Sequence, residues 1–322
     1  MRTLCKGIAV ALAVTLLAGC AARGRRAAAP QPVPSEGPAA VPATPASLSE
    51  FMQKVRHLSV NQRALDTNGS AETLEMRDPA LAADLLRVAA APSAERHRAI
   101  AERYQDHGIL DAAYRHFNSA VILNPRDAAA YEGLARVWRD WGLPRLALGD
   151  AQRATYYAPR SASARNTYGT IMQALGRDAD ASGAYQLASS LDPNAAYAVN
   201  NLCYLSFVNA RIDDAIEKCS AALRLDSSLT AARNNLALAF AASGRMDLAR
   251  TQFLDAGDRA SGLYNAGIAY LASGDEPSAL AAFDEASRAR PTFNISRERA
   301  DLLRARLGFR AAAERLAGGS GQ

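Results

Sequence analysis

The chain has 322 residues, of which 49% are apolar and only 7% aromatic, and its 37 Lys and Arg against 32 Asp and Glu leave a formal charge of +5. That length allows one elongated or two compact domains. Alanine and arginine dominate while β-branched and aromatic residues are scarce, so the composition favours helix over sheet. The charge is mild and no basic run is interleaved with aromatic residues, which disfavours nucleic-acid binding.

The amino terminus opens with the positively charged MRTLCK and continues into GIAVALAVTLLAG, an apolar core of signal-peptide length that is too short for a comfortable transmembrane helix. It ends in Leu17-Ala18-Gly19-Cys20, which resembles a bacterial lipobox. The resemblance implies that residues 1–19 are a lipoprotein signal peptide, that cleavage falls before Cys20, and that palmitate-type acylation of Cys20 hangs the mature protein from a membrane. An ordinary secretory leader with an incidental cysteine is the plainer alternative. Ala21, standing where Asp would signal inner-membrane retention, implies the outer membrane on its periplasmic side. Residues 20–47 are mostly Ala, Pro, Gly and Ser, a composition that builds no core and reads as a semi-rigid tether.

Leu48, Phe51, Val55 and Leu58 then fall on one helical face, and a second helix is expected over residues 80–90 after Asp78-Pro79. The segment DTNGSAETLEMRD between them reads as a loop. Neither helix fits the periodic pattern of the chain beyond residue 93, so residues 48–93 are expected to form a non-repeat N-terminal helical cap or a degenerate unit.

From residue 94 the chain repeats every 34 residues, counted from Ala94, Ala128, Ala162, Ala196 and Thr230. The twentieth place reads Ala113, Ala147, Ala181, Ala215 and Ala249, and the twenty-seventh Ala120, Ala154, Ala188, Ala222 and Ala256. Small residues there let two antiparallel helices approach closely. The fifteenth place reads Gly108, Gly142, Gly176, Ala210 and Gly244, where a left-handed residue closes the first helix. Large residues fill the eleventh place, among them Tyr104, Trp138 and Phe240, and the twenty-fourth, among them Phe117, Tyr185 and Phe253. A sixth unit begins at Ala260 after only 30 residues, so four are missing near DAGDRAS and the second helix of the fifth unit should be short. Beyond Pro291, Leu302, Leu303, Leu307 and Phe309 keep a helical period in residues 294–317, which reads as a C-terminal capping helix.

These places resemble the tetratricopeptide repeat family over residues 94–293. The fold expected is all-α, a right-handed superhelical solenoid of about six helix pairs with an N-terminal helical cap and a C-terminal capping helix. In that family the first helix of each unit lines the concave side, facing outward at its second, fifth, sixth, ninth and twelfth places. Here the fifth place holds Asn166, Asn200 and Asn234, and the sixth Asn201, Asn235 and Asn265. A column of carboxamides can satisfy an extended peptide's backbone, as similar ladders do in the repeat domain of O-linked N-acetylglucosamine transferase, or can simply bridge neighbouring helices. Tyr197, Tyr204 and Tyr264 would add aromatic contact in a C-terminal peptide groove, unless they belong to the core. The N-terminal half of the groove is charged instead, through Arg98, Glu102, Glu132, Arg136 and Arg139.

Cys203 and Cys219, at the eighth and twenty-fourth places of the fourth unit, either form a disulfide in an oxidising periplasm or serve as small buried apolar residues. His57, His97, His107 and His116 form no HExxH, and neither Gly-rich phosphate loops nor a GxSxG nucleophile occur. No catalytic residue, metal or cofactor is expected. Glu102 with Glu132 as a glycoside hydrolase pair is the remote enzymatic alternative.

The lipobox, the tether, the repeats and the phrases RNNLALAFAASGR and GLYNAGIAYLASGD together resemble TadD-type lipoproteins of the Flp, or Tad, pilus assembly system. The resemblance implies a scaffold that binds other proteins, among them a pilus secretin or assembly components, and touches the membrane through its lipid alone. A pilotin of type IV pili and an adaptor for cell-wall (peptidoglycan) hydrolases share the architecture. Aromatic residues exposed in the groove fit homo-oligomer formation as well as peptide capture.

Overall fold

The structure, a computed structural model, describes residues 45–58 and 70–318. The leader, Cys20 and nearly all of the expected tether lie outside the described residues. Sixteen helices and no strand occupy the described residues. In chain order they are α1 (Pro45–Leu58), α2 (Ala71–Arg77), α3 (Pro79–Ala90), α4 (Ala94–Asp106), α5 (Leu110–Leu123), α6 (Ala128–Asp140), α7 (Pro144–Tyr157), α8 (Ala162–Ala174) and α9 (Asp178–Leu191). There follow α10 (Ala196–Val208), α11 (Ile212–Leu225), α12 (Thr230–Ala242), α13 (Met246–Asp255), α14 (Arg259–Ala272), α15 (Glu276–Ala289) and α16 (Asn294–Gly318). The chain divides into two compact units, one of residues 70–202 and one that combines residues 45–58 with 203–318, the division falling inside α10.

In both units consecutive helices pack as antiparallel pairs, and the first helices of successive pairs lie side by side: α4, α6 and α8 in the first unit, α12 and α14 in the second. Local chemistry sets each boundary. Ser93, Asp127, Ser161 and Asp258 accept bonds from backbone N–H groups at the starts of α4, α6, α8 and α14, satisfying donors that a helix start leaves free. Left-handed residues close the first helices, with φ of 72° at Gly108 and 86° at Gly274, while the fourth repeat holds the same conformation with Ala210 at φ 60°. The alanines of the twentieth place are fully buried, as Ala113, Ala181 and Ala249 show, and those of the twenty-seventh place nearly so. Their small size brings paired helices close enough for Phe117, Tyr185, Phe253 and Phe283 to fill the layer beside them.

The missing four residues shorten α13 to 10 residues, where α11 and α15 have 14. The next helix then comes in tightly: a Cβ on Gly262 would stand 2.4 Å from the carbonyl oxygen of Phe253. At the C-terminus α16 packs on α15, burying Ala300 and Leu303 beside Leu263 and Phe283. Arg306 and Arg310 reach the nearly buried carboxylate of Glu276 at 3.0 and 2.9 Å.

Two expectations for the region before the repeats are corrected. The stretch read as a loop contains α2, whose start Ser70 caps through Thr73 N and whose end meets Asp78, the residue that also caps α3. No α2 residue is buried, so it carries no apolar period by which a sequence could announce a helix. Residues 48–93 do not form a single N-terminal cap either. The helix α3 packs on α4, whereas α1 packs on α14 and α12, in the other unit. Leu48, Phe51, Met52 and Val55 draw it there, buried in one cluster with Leu238, Ala241, Ala242, Ala266, Ala269 and Ala272.

Candidate functional site

The first-helix faces were expected to carry the function, and four of the six asparagines on them are bonded to one another in two pairs. Asn201 Nδ2 donates to Asn166 Oδ1 at 2.7 Å, and Asn265 Nδ2 donates to Asn234 Oδ1 at 3.4 Å. In each rung the fifth place of one repeat accepts from the sixth place of the next. The same rung occurs one repeat earlier with other residue types, where Thr167 Oγ1 donates to Glu132 Oε1 at 3.0 Å. Such bonds fix the stagger of neighbouring first helices, the bridging role open to these residues from the start. Each amide rung uses one of the two N–H donors of one carboxamide and one of the two acceptor positions of the other, so it does not exhaust them. Asn200, Asn201 and Asn235 are buried, while Asn166, Asn234 and Asn265 are half-buried.

The three tyrosines separate. Tyr197 is half-buried against Ala188, Ala195 and Ala198 in the first unit, where burial, with Asp192 and Glu132 behind it, raises its phenol above the usual range. Tyr204 is half-buried in the second. Tyr264 is core rather than groove and is corrected accordingly: it is 2% exposed and packs on Phe283 and Phe293 with ring centroids 5.5 and 5.3 Å away. The capping helix explains this, because α16 covers the face of α14 that a further repeat would otherwise cover.

The charged half of the first-helix face is likewise cross-braced. Arg98 Nη1 donates to both oxygens of Asp127, at 3.0 and 2.9 Å, across the first two repeats. Glu132 Oε1 accepts from Arg136 at 2.8 Å, from Ser163 at 2.6 Å and from Thr167. A buried carboxylate so saturated is a strut between repeats. Burial pushes the Glu102 carboxyl up against the opposing pull of Arg136 and Arg98.

Cys203 and Cys219 are joined, with Cα atoms 5.2 Å apart, tying α10 to α11. They occupy the eighth and twenty-fourth places, where the third and sixth repeats set Gly169 under Tyr185 and Gly267 under Phe283. There a glycine Cβ would lie only 2.6 Å from the ring. The fourth repeat thus replaces a close aromatic contact with a covalent one. It also sets buried Ser206 at the eleventh place, where others carry a bulky side chain. Ser206 Oγ donates to Asp214 Oδ2 at 2.6 Å, and Lys218 bonds the other carboxylate oxygen. Burial alone would raise the Asp214 carboxyl, but the bonds from Lys218 and Ser206 outweigh it and hold the group below the ordinary range.

What the expectations missed is the occupant of the second unit's first-helix face. Leu48, Phe51, Met52 and Val55 of α1 are 6, 7, 8 and 3% exposed on the alanine-rich wall of α12 and α14. The spacing i, i+3, i+4, i+7 was legible as an amphipathic helix. Its destination was not, since the wall it meets begins at residue 230. Among the described residues no group of three or more His, Cys, Asp or Glu could hold a metal ion, and no helix is long and apolar enough to cross a membrane.

Stacked 34-residue helix pairs, with alanines at two fixed places and a wall of first helices, define the tetratricopeptide-repeat fold, a class of helical solenoids. The chain is similar to PilF of Pseudomonas aeruginosa, at 20% identity and a TM-score of 0.50, over 66% of this chain and 97% of that one. It is similar to PilW at 18% identity and a TM-score of 0.55, over 65% and 97%. A tetratricopeptide repeat protein of Parabacteroides merdae aligns at 15% identity and a TM-score of 0.54, over 80% and 99%. These likenesses establish the fold. No family model matches the sequence, and no curated protein does.

Proposed function

We propose that this chain is a lipid-anchored scaffold of the bacterial envelope whose C-terminal repeats bind a segment of an assembly protein on their first-helix face. The observation that carries the reading is the seating of an apolar helix on α12 and α14, which gives that wall the depth and chemistry to hold a polypeptide segment. Anchoring rests on the lipobox ending in Cys20 and on the outer-membrane sense of Ala21. The fold is shared with PilW, described as a widely conserved type IV pilus biogenesis factor. Pilus components are accordingly the first partners to test, with a TadD-type role in Flp pilus assembly as the specific form and a pilotin role as its rival.

A photo-crosslinking amino acid placed at Asn234 or Asn265 in the living cell tests the partner, with Tyr156 on α7, 77% exposed, as control. A secretin or pilus assembly protein crosslinked from the first two positions and not from the third is the expected result. Crosslinks from Tyr156 alone would move the interface to the second-helix side and end the reading. Cys20→Ser should shift the protein from the membrane to the soluble fraction, and retention in the membrane would remove the anchor.

A further inference from the structure

We propose that the first-helix face of repeats five and six is a seat for an amphipathic helix, and that α1 is the chain's own removable occupant of it. A partner's helix with apolar residues at i, i+3, i+4 and i+7 would bind by displacing α1. This rests on the reading that the same face is the interaction site.

Four observations support it. The helix α1 lies outside the 34-residue repeats, and among the described residues α14 and α12 are the elements it packs against. It buries one stripe, Leu48, Phe51, Met52 and Val55, while Gln53 is exposed and Glu50 and Lys54 form an exposed i,i+4 ion pair on the other side. Its seat is formed by α14 and α12, and the core cluster it joins is rich in their alanines, among them Ala241, Ala242, Ala266, Ala269 and Ala272, with Leu238. A floor of small side chains accepts the large residues of an incoming helix by spacing rather than by individual shape, so a helix from another protein with the same stripe fits equally. Lastly, a 14-residue helix is marginal in water. The ordering of α1 therefore depends on its seat, where Leu48, Phe51, Met52 and Val55 are its buried apolar side chains, and a helix that offers the same stripe competes for that seat. A tethered occupant competes at high effective concentration, so it sets a threshold that a partner must exceed.

The test uses the full chain and a fluorescent peptide of α1 itself, PASLSEFMQKVRHL. Wild type, carrying its own copy, should bind the peptide at least about tenfold more weakly than the Phe51→Asp, Val55→Asp variant, whose α1 is unseated. Adding Leu238→Asp to that variant should abolish binding, and the peptide should gain helical circular dichroism on binding. All variants must keep the repeat melting transition; hydrogen exchange at residues 236–242 and 266–272, faster in the unseated variant, reads the same event without a ligand. Equal affinity for wild type and the unseated variant would overturn the proposal. So would equal binding of a peptide with Glu50→Pro, which cannot be helical there, because it would make the seat one for extended chain. A wild type that sediments as a dimer and an unseated variant that is monomeric would also overturn it, assigning the seat to a second copy. The outcomes separate from those of the function above. Peptide binding as described with no envelope protein crosslinked from Asn234 or Asn265 would leave the helix seat and remove the scaffold reading. A crosslinked partner that excess peptide fails to compete away would keep the scaffold and remove the seat.

Discussion

At the scale of single residues, the repeat tolerates exceptions whose costs can be measured. Ala210 holds φ 60° where five other repeats place glycine, and a left-handed alanine is strained by about 1–2 kcal/mol. Ala210→Gly should raise stability by about 1 kcal/mol, part of the relief being offset by the freer unfolded chain, and urea denaturation checks it. The pair His97 and His116, Nδ1 to Nδ1 at 3.0 Å, supplies a pH prediction. Burial first, then the charges of His97 and Arg115, push His116 down to about 4, against the upward pull of Glu75. An unfolded histidine takes up its proton near 6.5. The unfolded chain therefore binds more protons between the two values, and stability is lost as pH falls from about 6.5 to about 4. His116→Gln should lose less melting temperature than wild type between about pH 7 and pH 4.5, by about 2–4 °C for each kcal/mol of penalty removed. Equal losses in the two proteins would place the acid sensitivity elsewhere.

Elements show where the sequence was legible. Gly108, Ala113, Phe117 and Ala120 announce a helix pair because each answers a local demand, a left-handed turn or a close crossing, that only a few residue types satisfy. The short α13 was legible as well, since a four-residue deficit in a fixed period must come out of some helix. The rungs Asn166–Asn201 and Asn234–Asn265 were half legible: period places these residues on one face, but whether amides meet each other or a ligand depends on the stagger of neighbouring helices, which no residue spacing encodes. Tyr264 failed for a related reason, because the covering of the last repeat is decided by α16. A prediction belongs to the short joint. At Gly262 any side chain meets backbone, the Phe253 carbonyl oxygen at 2.4 Å, which cannot rotate away as a ring or a lysine tip could. Gly262→Ala should cost about 1–3 kcal/mol as overpacking and lower the melting temperature, whereas Gly183→Ala, with nothing within 4 Å of its Cβ position, should not.

For the whole molecule, the division inside α10 gives the two units different means of cohesion. The first, residues 70–202, is braced by charged rungs such as Arg98–Asp127 and Glu132–Ser163. The second contains the disulfide Cys203–Cys219, which closes a loop of 16 residues, a constraint worth about 3 kcal/mol by loop entropy. Reductant should therefore speed hydrogen exchange within residues 203–318 and leave α4 to α8 unchanged, and uniform acceleration of both units would show that they unfold as one. In the unlipidated chain, which has four cysteines, two thiols should titrate under denaturing conditions before reduction and four after it.

The place of α1 also governs the order in which the molecule can be finished. Its seat is made from residues 230–272, so everything from residue 59 to residue 229 must leave the ribosome, and in an exported protein cross the membrane, before the seat exists. Until then Leu48, Phe51, Met52 and Val55 travel uncovered at the leading end of the chain, the apolar stripe that waits longest for its partner surface. The closing of α1 onto α12 and α14 therefore comes only after residues 230–272 have been made, although α1 itself is among the first parts of the chain to appear.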